Sequence, residues 1–184
     1  MAQAIRERIT ATQYAQLPET NLPVELIDGE IIEMPSPFTV HQAMSRQLFL
    51  LLHQLTGGKG DLLFAPMDVH LDEFNVVQPD IFWVSGPESR CKQGDDGYWH
   101  GAPDLVVEIL SAGTGLRDRR EKFRLYEKHG SREYWLAEPG QSYLEVWSLA
   151  DGQFKRLGVF GPDDAFESLA LGGAKVELKG VFAE

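Results

Sequence analysis

The order of patterned segments predicts an α/β fold, a mixed central sheet with helices on its faces. Three observations predict it. Val40, Met44, Leu48, Leu51, Leu52 and Leu55 recur at helical spacing. Runs rich in β-branched and bulky apolar residues follow at 62–71 (LLFAPMDVHL), 76–84 (VVQPDIFWV) and 104–110 (DLVVEIL). A second helical stretch, from about Arg117 to His129, then precedes another strand-like run, EYWLAEP.

The chain opens with a short helix that starts at Thr10 or Thr12 and ends before Pro18. VELIDGEIIEM places two short apolar segments around Asp28-Gly29, a strong hairpin signal, closed by Pro35 and Pro37. Thr39 reads as the N-cap of the long helix, with Gln42 completing a capping box, and Gly57-Gly58 ends it. The loop SGPESRCKQGDDGYWHGAP, rich in Gly, Pro and charge, is long enough to expect function or mobility of it. Leu116, Phe123 and Tyr126 give the second helix an apolar side, and Gly130 is its C′ residue. LEVWSL-ADG-QFKRLGVF reads as a terminal hairpin, and 162–184 as one or two edge strands.

From Thr39 to Glu138 the order is therefore helix, strand, strand, strand, helix, strand. Hairpin connections make the first three strands antiparallel; the helical crossover makes 104–110 and 133–138 parallel, with a right-handed connection. With no internal repeat, low-complexity tract or linker, one domain over 1–184 is expected, its core at about 39–138.

Hydrophobic residues at 43% and charged ones at 24% are the composition of a globular protein. Cys91 stands alone, so neither an intrachain disulfide nor a zinc cluster is available, which fits a reducing cytoplasm. The N-terminal residues lack the apolar stretch of a signal peptide, and LFLLL at 48–52 is too short to span a bilayer. A cytoplasmic protein without a membrane partner is the expectation. A net charge of −11 counts against a protein that coats nucleic acid. It leaves room for a local basic patch at RDRREKFR, 117–124.

The chemistry begins with Glu108. It interrupts the buried-strand run VVEIL, where an unpaired charge costs several kcal/mol unless it finds a partner, a proton or a metal ion. Strand alternation puts Asp104, Val106, Glu108 and Leu110 on one face, and Gln78, Asp80, Phe82 and Val84 on one face of the preceding strand. If the strands pair, Asp80 and Glu108 point to the same side. Carboxylates about 4 Å apart repel by roughly 4 kcal/mol at an effective dielectric of about 20, so such a pair shares a proton or binds a cation. Hard oxygen ligands favour Mg²⁺ or Mn²⁺ over Zn²⁺. On these residues alone another reading stands beside it, with Asp80 capping a turn and Glu108 paired with an arginine of the next helix. Asp118, Lys122 and Tyr126 fall at i, i+4, i+8 on that helix. Lys122 can reach the sheet carboxylates and offset charge on a phosphorane, or remain a solvated partner of Asp118.

At this point the sequence resembles a known group. A Pro-Asp on one strand, a Glu on the next and a lysine nearby are similar to the PD-(D/E)XK nuclease superfamily, whose core follows the same element order. That superfamily usually carries its lysine two residues after the Glu, where this chain has Leu110. The stretches YAQLPE, VELIDGEIIEMPSP, the His41 opening of the long helix, VVQPDIFWV, APDLVVEILS, RDRREKFRLYEKHGSREYWLAEP and LEVWSL resemble the Uma-two family of "putative restriction endonucleases". In that family the lysine has moved to the following helix.

The resemblance implies a restriction-endonuclease-like fold and a Mg²⁺- or Mn²⁺-dependent endonuclease acting on DNA. Asp80 and Glu108 look like the metal ligands, with the backbone carbonyl of Ile109 as a further one, and Lys122 like the migrated lysine. Glu25 and His41 match upstream family positions bordering the cleft, or serve as a hairpin ion-pair partner and an exposed first-turn residue. Asp118 and Tyr126 are expected to border the same cleft. Ala112 replaces a proline that the family often shows. Two other readings stay open: a nuclease-like binding or assembly module without catalysis, and a phosphodiesterase for a small phosphoester. Trp99 and Trp147 are the aromatic candidates for a homodimer surface, which nuclease folds that cut both strands often need.

Overall fold

The computed structural model describes residues 8–18, 22–111 and 113–182. Ala112 therefore lies outside the described residues, as do most of the N-terminal stretch and Glu19 of YAQLPE. Helix α1 (Ala11–Tyr14) opens with a reciprocal cap: the Thr10 hydroxyl accepts the Gln13 N–H, and the Gln13 side chain accepts the Thr10 N–H. Strands β1 (Val24–Ile27) and β2 (Glu30–Glu33) pair through a two-residue turn in which Asp28 and Gly29 take φ of 51° and 79°.

Helix α2 (Thr39–Thr56) starts one residue earlier than the capping box implies. Phe38 is its N-cap, the Gln42 N–H bonds the Phe38 carbonyl, and no side chain caps the end. Gly57, at φ 58°, terminates it.

The two runs at 62–71 and 76–84 are each broken in the middle. The first divides into β3 (Asp61–Phe64) and β4 (Val69–Asp72), the second into β5 (Asn75–Val77) and β6 (Ile81–Val84). Each break holds a proline, Pro66 or Pro79, which has no N–H to give a ladder. At Ala65-Pro66 the chain leaves one sheet for another, and across Pro79-Asp80 it returns. The Ala65 N–H bonds the Asp80 carbonyl at 3.0 Å and ties the two crossing points together.

Inside the long loop lie two short strands, β7 (Lys92–Gln93) and β8 (Trp99–His100). After β9 (Leu105–Ile109) come α3 (Gly115–Arg117), a π-helical turn (Asp118–Lys122) and α4 (Phe123–His129). The chain ends in β10 (Glu133–Glu138), β11 (Tyr143–Ala150), β12 (Gln153–Phe160), β13 (Ala165–Ser168) and β14 (Ala174–Glu177).

The central sheet runs β12-β11-β10-β9-β6-β3, with β9 and β10 parallel and its other pairs antiparallel. A second sheet runs β2-β1-β5-β4-β8-β7. On one face of the central sheet, Ile81, Leu105, Val107 and Ile109 pack against Met44, Leu48 and Leu52 of α2 and against Phe166 and Val176. Full burial of a leucine such as Leu48 contributes about 1.5–3 kcal/mol. On the other face, Phe82, Val106 and Leu110 meet Leu125 and Tyr126 of α4, with Val69 and Val77 of the second sheet.

Three expectations are corrected here. Leu116 is 72% exposed, so the apolar side of the second helix rests on Phe123, Leu125 and Tyr126. Strands β13 and β14 pair with each other and cover a sheet face rather than extending its edge. Trp99 is buried edge-on to Phe82, and Trp147 is half-buried against Phe123, so neither offers an exposed dimer surface.

Glu133 fastens this C-terminal layer. Its buried carboxylate accepts bonds from the Trp135 indole, the Ser148 and Ser168 hydroxyls and the Leu169 N–H. Glu133→Gln turns one accepting oxygen into a donor facing other donors. It is expected to lower the unfolding free energy by about 1–3 kcal/mol in a urea titration.

Candidate active site

Glu108 has the same strand parity as Val106 and Leu110, so it faces α4 and the second sheet. It is 3% exposed. Its Oε1 accepts the Lys122 ammonium at 2.9 Å and the Tyr126 hydroxyl at 3.0 Å. Lys122, 1% exposed, also lies 2.7 Å from Glu25 Oε1 and 3.9 Å from Asp118 Oδ1. Glu25 comes from β1 of the second sheet and accepts the Gln78 N–H as well. The ammonium thus gathers carboxylates from β1, β9 and its own helix.

Asp118 and Lys122, four residues apart, approach to 3.9 Å across a helical turn that is π-helical. The Phe123 N–H reaches back to the Asp118 carbonyl, which also accepts the Tyr134 hydroxyl at 3.0 Å. A hydroxyl inserted into the ladder is a recognised cause of such a distortion, and π turns concentrate at functional sites.

Asp80 stands at the corner before β6, 18% exposed at its side chain. Its Oδ2 accepts the Ile109 N–H at 2.7 Å and lies 3.2 Å from His41 Nε2. The Ile109 carbonyl, expected as a further ligand, faces the same imidazole. Asp80, Glu108, Lys122, His41 and Asp118 share the lining of one cleft of about 380 Å³. Glu25 sits behind Lys122 and Tyr126 behind Glu108, both fully buried.

The charges are unequal: four carboxylates face one ammonium and one imidazole. Burial pushes the Glu108 carboxyl well above the ordinary carboxylate range; Lys122 draws it down, while Asp118, Asp80 and Glu25 raise it further. Burial, opposed by Lys122, likewise lifts Asp118 to about 6. For Lys122 burial favours the neutral amine, but Glu108, Glu25 and Asp118 outweigh it and hold the ammonium charged. Burial also lowers the His41 imidazole, and the Asp80 carboxylate more than offsets this, leaving its pKa above the usual value.

The basic stretch 117–124 divides. Arg117 is half-buried, with a guanidinium nitrogen 3.0 Å from Sδ of Met34 on the cleft wall. Arg119 turns to β11, where it binds Glu145 at 2.6 Å and the Tyr143 hydroxyl at 2.7 Å. Arg120 and Arg124 are exposed. Sequence reasoning missed Gln78, which anchors Glu25, and Tyr134, which holds the π turn. Both act through pairings between segments far apart in the chain, and no local pattern signals them.

A mixed sheet bearing an Asp at one strand's entrance, a Glu on the next and a lysine from the helix beyond defines a restriction-endonuclease-like α/β protein. The chain belongs to the Uma2 family, described as "Putative restriction endonuclease", whose model matches residues 11–179. It is 28% identical over 130 residues to the "Uncharacterized protein slr1290" of Synechocystis sp.; the match covers 69% of this chain and 66% of that relative. The crystal structure of a "putative nuclease belonging to DUF820" from Anabaena variabilis superposes with a TM-score of 0.77. That likeness is at 22% identity and covers 95% of this chain and 98% of the other, and it shows the fold. No helix among the described residues is long and apolar enough to cross a membrane.

Proposed function

We propose that this cleft hydrolyses phosphodiester bonds of DNA, with Mg²⁺ or Mn²⁺ carried by Asp80 and Glu108. The observation that supports it most is the Lys122 ammonium, 2.9 Å from Glu108 in a cleft that also holds Asp80. Glu25 Oε2 and Asp118 Oδ1 are buried without a hydrogen-bond partner among the described residues. A polar balance left open in this way, with the excess of carboxylates, suits a cation. Among the described residues no three His, Cys, Asp or Glu groups come close enough to enclose an ion. Mg²⁺ is commonly held by one or two carboxylates completed by water and substrate phosphate, so Asp80 and Glu108 fit it.

When bound, such an ion polarises a phosphoryl oxygen and lowers the pKa of water. The protein's own groups do the rest. Lys122 and Tyr126 both bond Oε1 of Glu108 and fix its orientation, while the Ile109 N–H fixes Asp80. The ammonium offsets negative charge that builds on the phosphoryl group. His41, whose imidazolium form the neighbouring Asp80 carboxylate favours, can give a proton to the leaving oxygen at the cleft wall.

Calorimetric titration with Mn²⁺ and Mg²⁺, paired with a plasmid and oligonucleotide cleavage assay, tests the reading. The wild type is expected to bind the ion and cut; Asp80→Ala combined with Glu108→Ala is expected to do neither. Metal binding without cleavage of any phosphodiester would leave a binding module in place of an enzyme.

A further inference from the structure

The wall of the cleft offers apolar surface where a duplex-binding protein would offer cations. Met34, Pro35, Pro37, Phe38 and Pro66 line it. Phe38 is 72% exposed, although burying an aromatic ring is favourable. It occupies the N-cap of α2, and His41, beside Asp80, follows within the same turn.

We infer that the site takes its substrate as a single nucleic-acid strand, with a base stacked on Phe38 while the adjoining phosphate reaches Asp80 and Glu108. This rests on the hydrolytic reading above and narrows its substrate. Duplex binding depends on neutralising several phosphates with Lys and Arg. Here the chain carries a net charge of −11, Arg119 is occupied by Glu145 and Tyr143, and Arg117 alone of the 117–124 arginines contacts a cleft residue. Its contact there is the thioether of Met34, a weak acceptor that a phosphate readily displaces, while its Nε lies 3.9 Å from Glu121 Oε2.

Single-strand binding works differently. Beside a basic groove that tracks the backbone, stacking of a base on an exposed aromatic ring supplies affinity that does not depend on charge, and an unpaired strand alone can offer that base face. A cleft of about 380 Å³, apolar along the Met34–Phe38 wall, is of the size that takes a small ligand such as one nucleotide. The recognised chemistry, a base face next to a phosphodiester, is common to DNA and RNA.

The test uses the full chain carrying Asp80→Asn and labelled oligonucleotides of one sequence: single-stranded DNA, single-stranded RNA and duplex DNA. Anisotropy titrations are expected to show single strands bound at least about tenfold more tightly than the duplex. Phe38→Ala is expected to weaken single-strand binding by about 5- to 150-fold, and Phe38→Trp to preserve it. Phe38 is largely exposed, so an unchanged melting temperature will verify that the variants fold. The DNA and RNA arms identify the sugar. Duplex binding as tight as single-strand binding, or indifference to Phe38→Ala, overturns the inference. Cleavage by the wild-type chain is scored separately on the same substrates. Cutting of duplex that is insensitive to Phe38 sinks the single-strand assignment and leaves the nuclease. Phe38-dependent single-strand binding with no cleavage sinks the nuclease and leaves the assignment. Neither binding nor cutting overturns both.

Discussion

Lys122→Met is expected to lower the unfolding free energy by about 3–5 kcal/mol, because it leaves buried carboxylates without their counter-ion. Methionine fills similar volume, so the loss is electrostatic more than steric. Glu25, Glu108 and Asp118 all lie within 4.0 Å of the ammonium in the wild type, and each is buried.

The pH dependence separates this cause from a packing defect. In the wild type Asp118 titrates at about 6, above its ordinary 3.8. Its contribution to stability is therefore complete below pH 3.8 and lost as pH rises through about 6. Glu108 follows the same sign. Removing Lys122 deletes the influence that lowers both, so both move further up, and the variant loses stability over a wider span as pH increases. Urea unfolding of both proteins at about pH 8 and about pH 5 should show a deficit that shrinks in acid. A deficit independent of pH would contradict the account.

Glu108→Gln is expected to separate fold from function in the opposite direction. Its amide oxygen can still accept the Lys122 and Tyr126 bonds, and Glu108 is a group whose neutral form the fold already favours. Stability should change by no more than about 1 kcal/mol. Metal-supported cleavage should fall by about 10²- to 10⁴-fold, since a neutral amide neither holds the cation as tightly nor polarises water. A variant that cut at the wild-type rate would reduce Glu108 to a structural ion-pair partner.

Much of this site was legible because strand parity is local. Glu108 shares its parity with Val106 and Leu110, and all three face α4 as that alternation requires. The Asp28-Gly29 hairpin followed from two residue types that tolerate positive φ. What escaped was non-local. The runs at 62–71 and 76–84 read as single strands because their apolar residues continue through Pro66 and Pro79, where the chain changes sheets. The second sheet itself is assembled partly from two-residue strands whose partners are distant in sequence, such as β8 beside β4. Spacing at i, i+4, i+8 assumed an α-helix. The observed π turn depends on Tyr134, a residue of the following strand.

The seam between the two sheets has a mechanical meaning. Glu25 belongs to one sheet and Glu108 to the other, and Lys122 bonds both at 2.7 and 2.9 Å. The ammonium is a bolt through two plates. Any ligand that competes for either carboxylate loosens that fastening, and the β1–β2 hairpin, which leads directly into the Met34–Phe38 wall, will feel the release. Occupancy at the acidic floor is thus expected to bear on the set of the rim, against the apolar packing of Val69 and Val77 that also joins the two sheets.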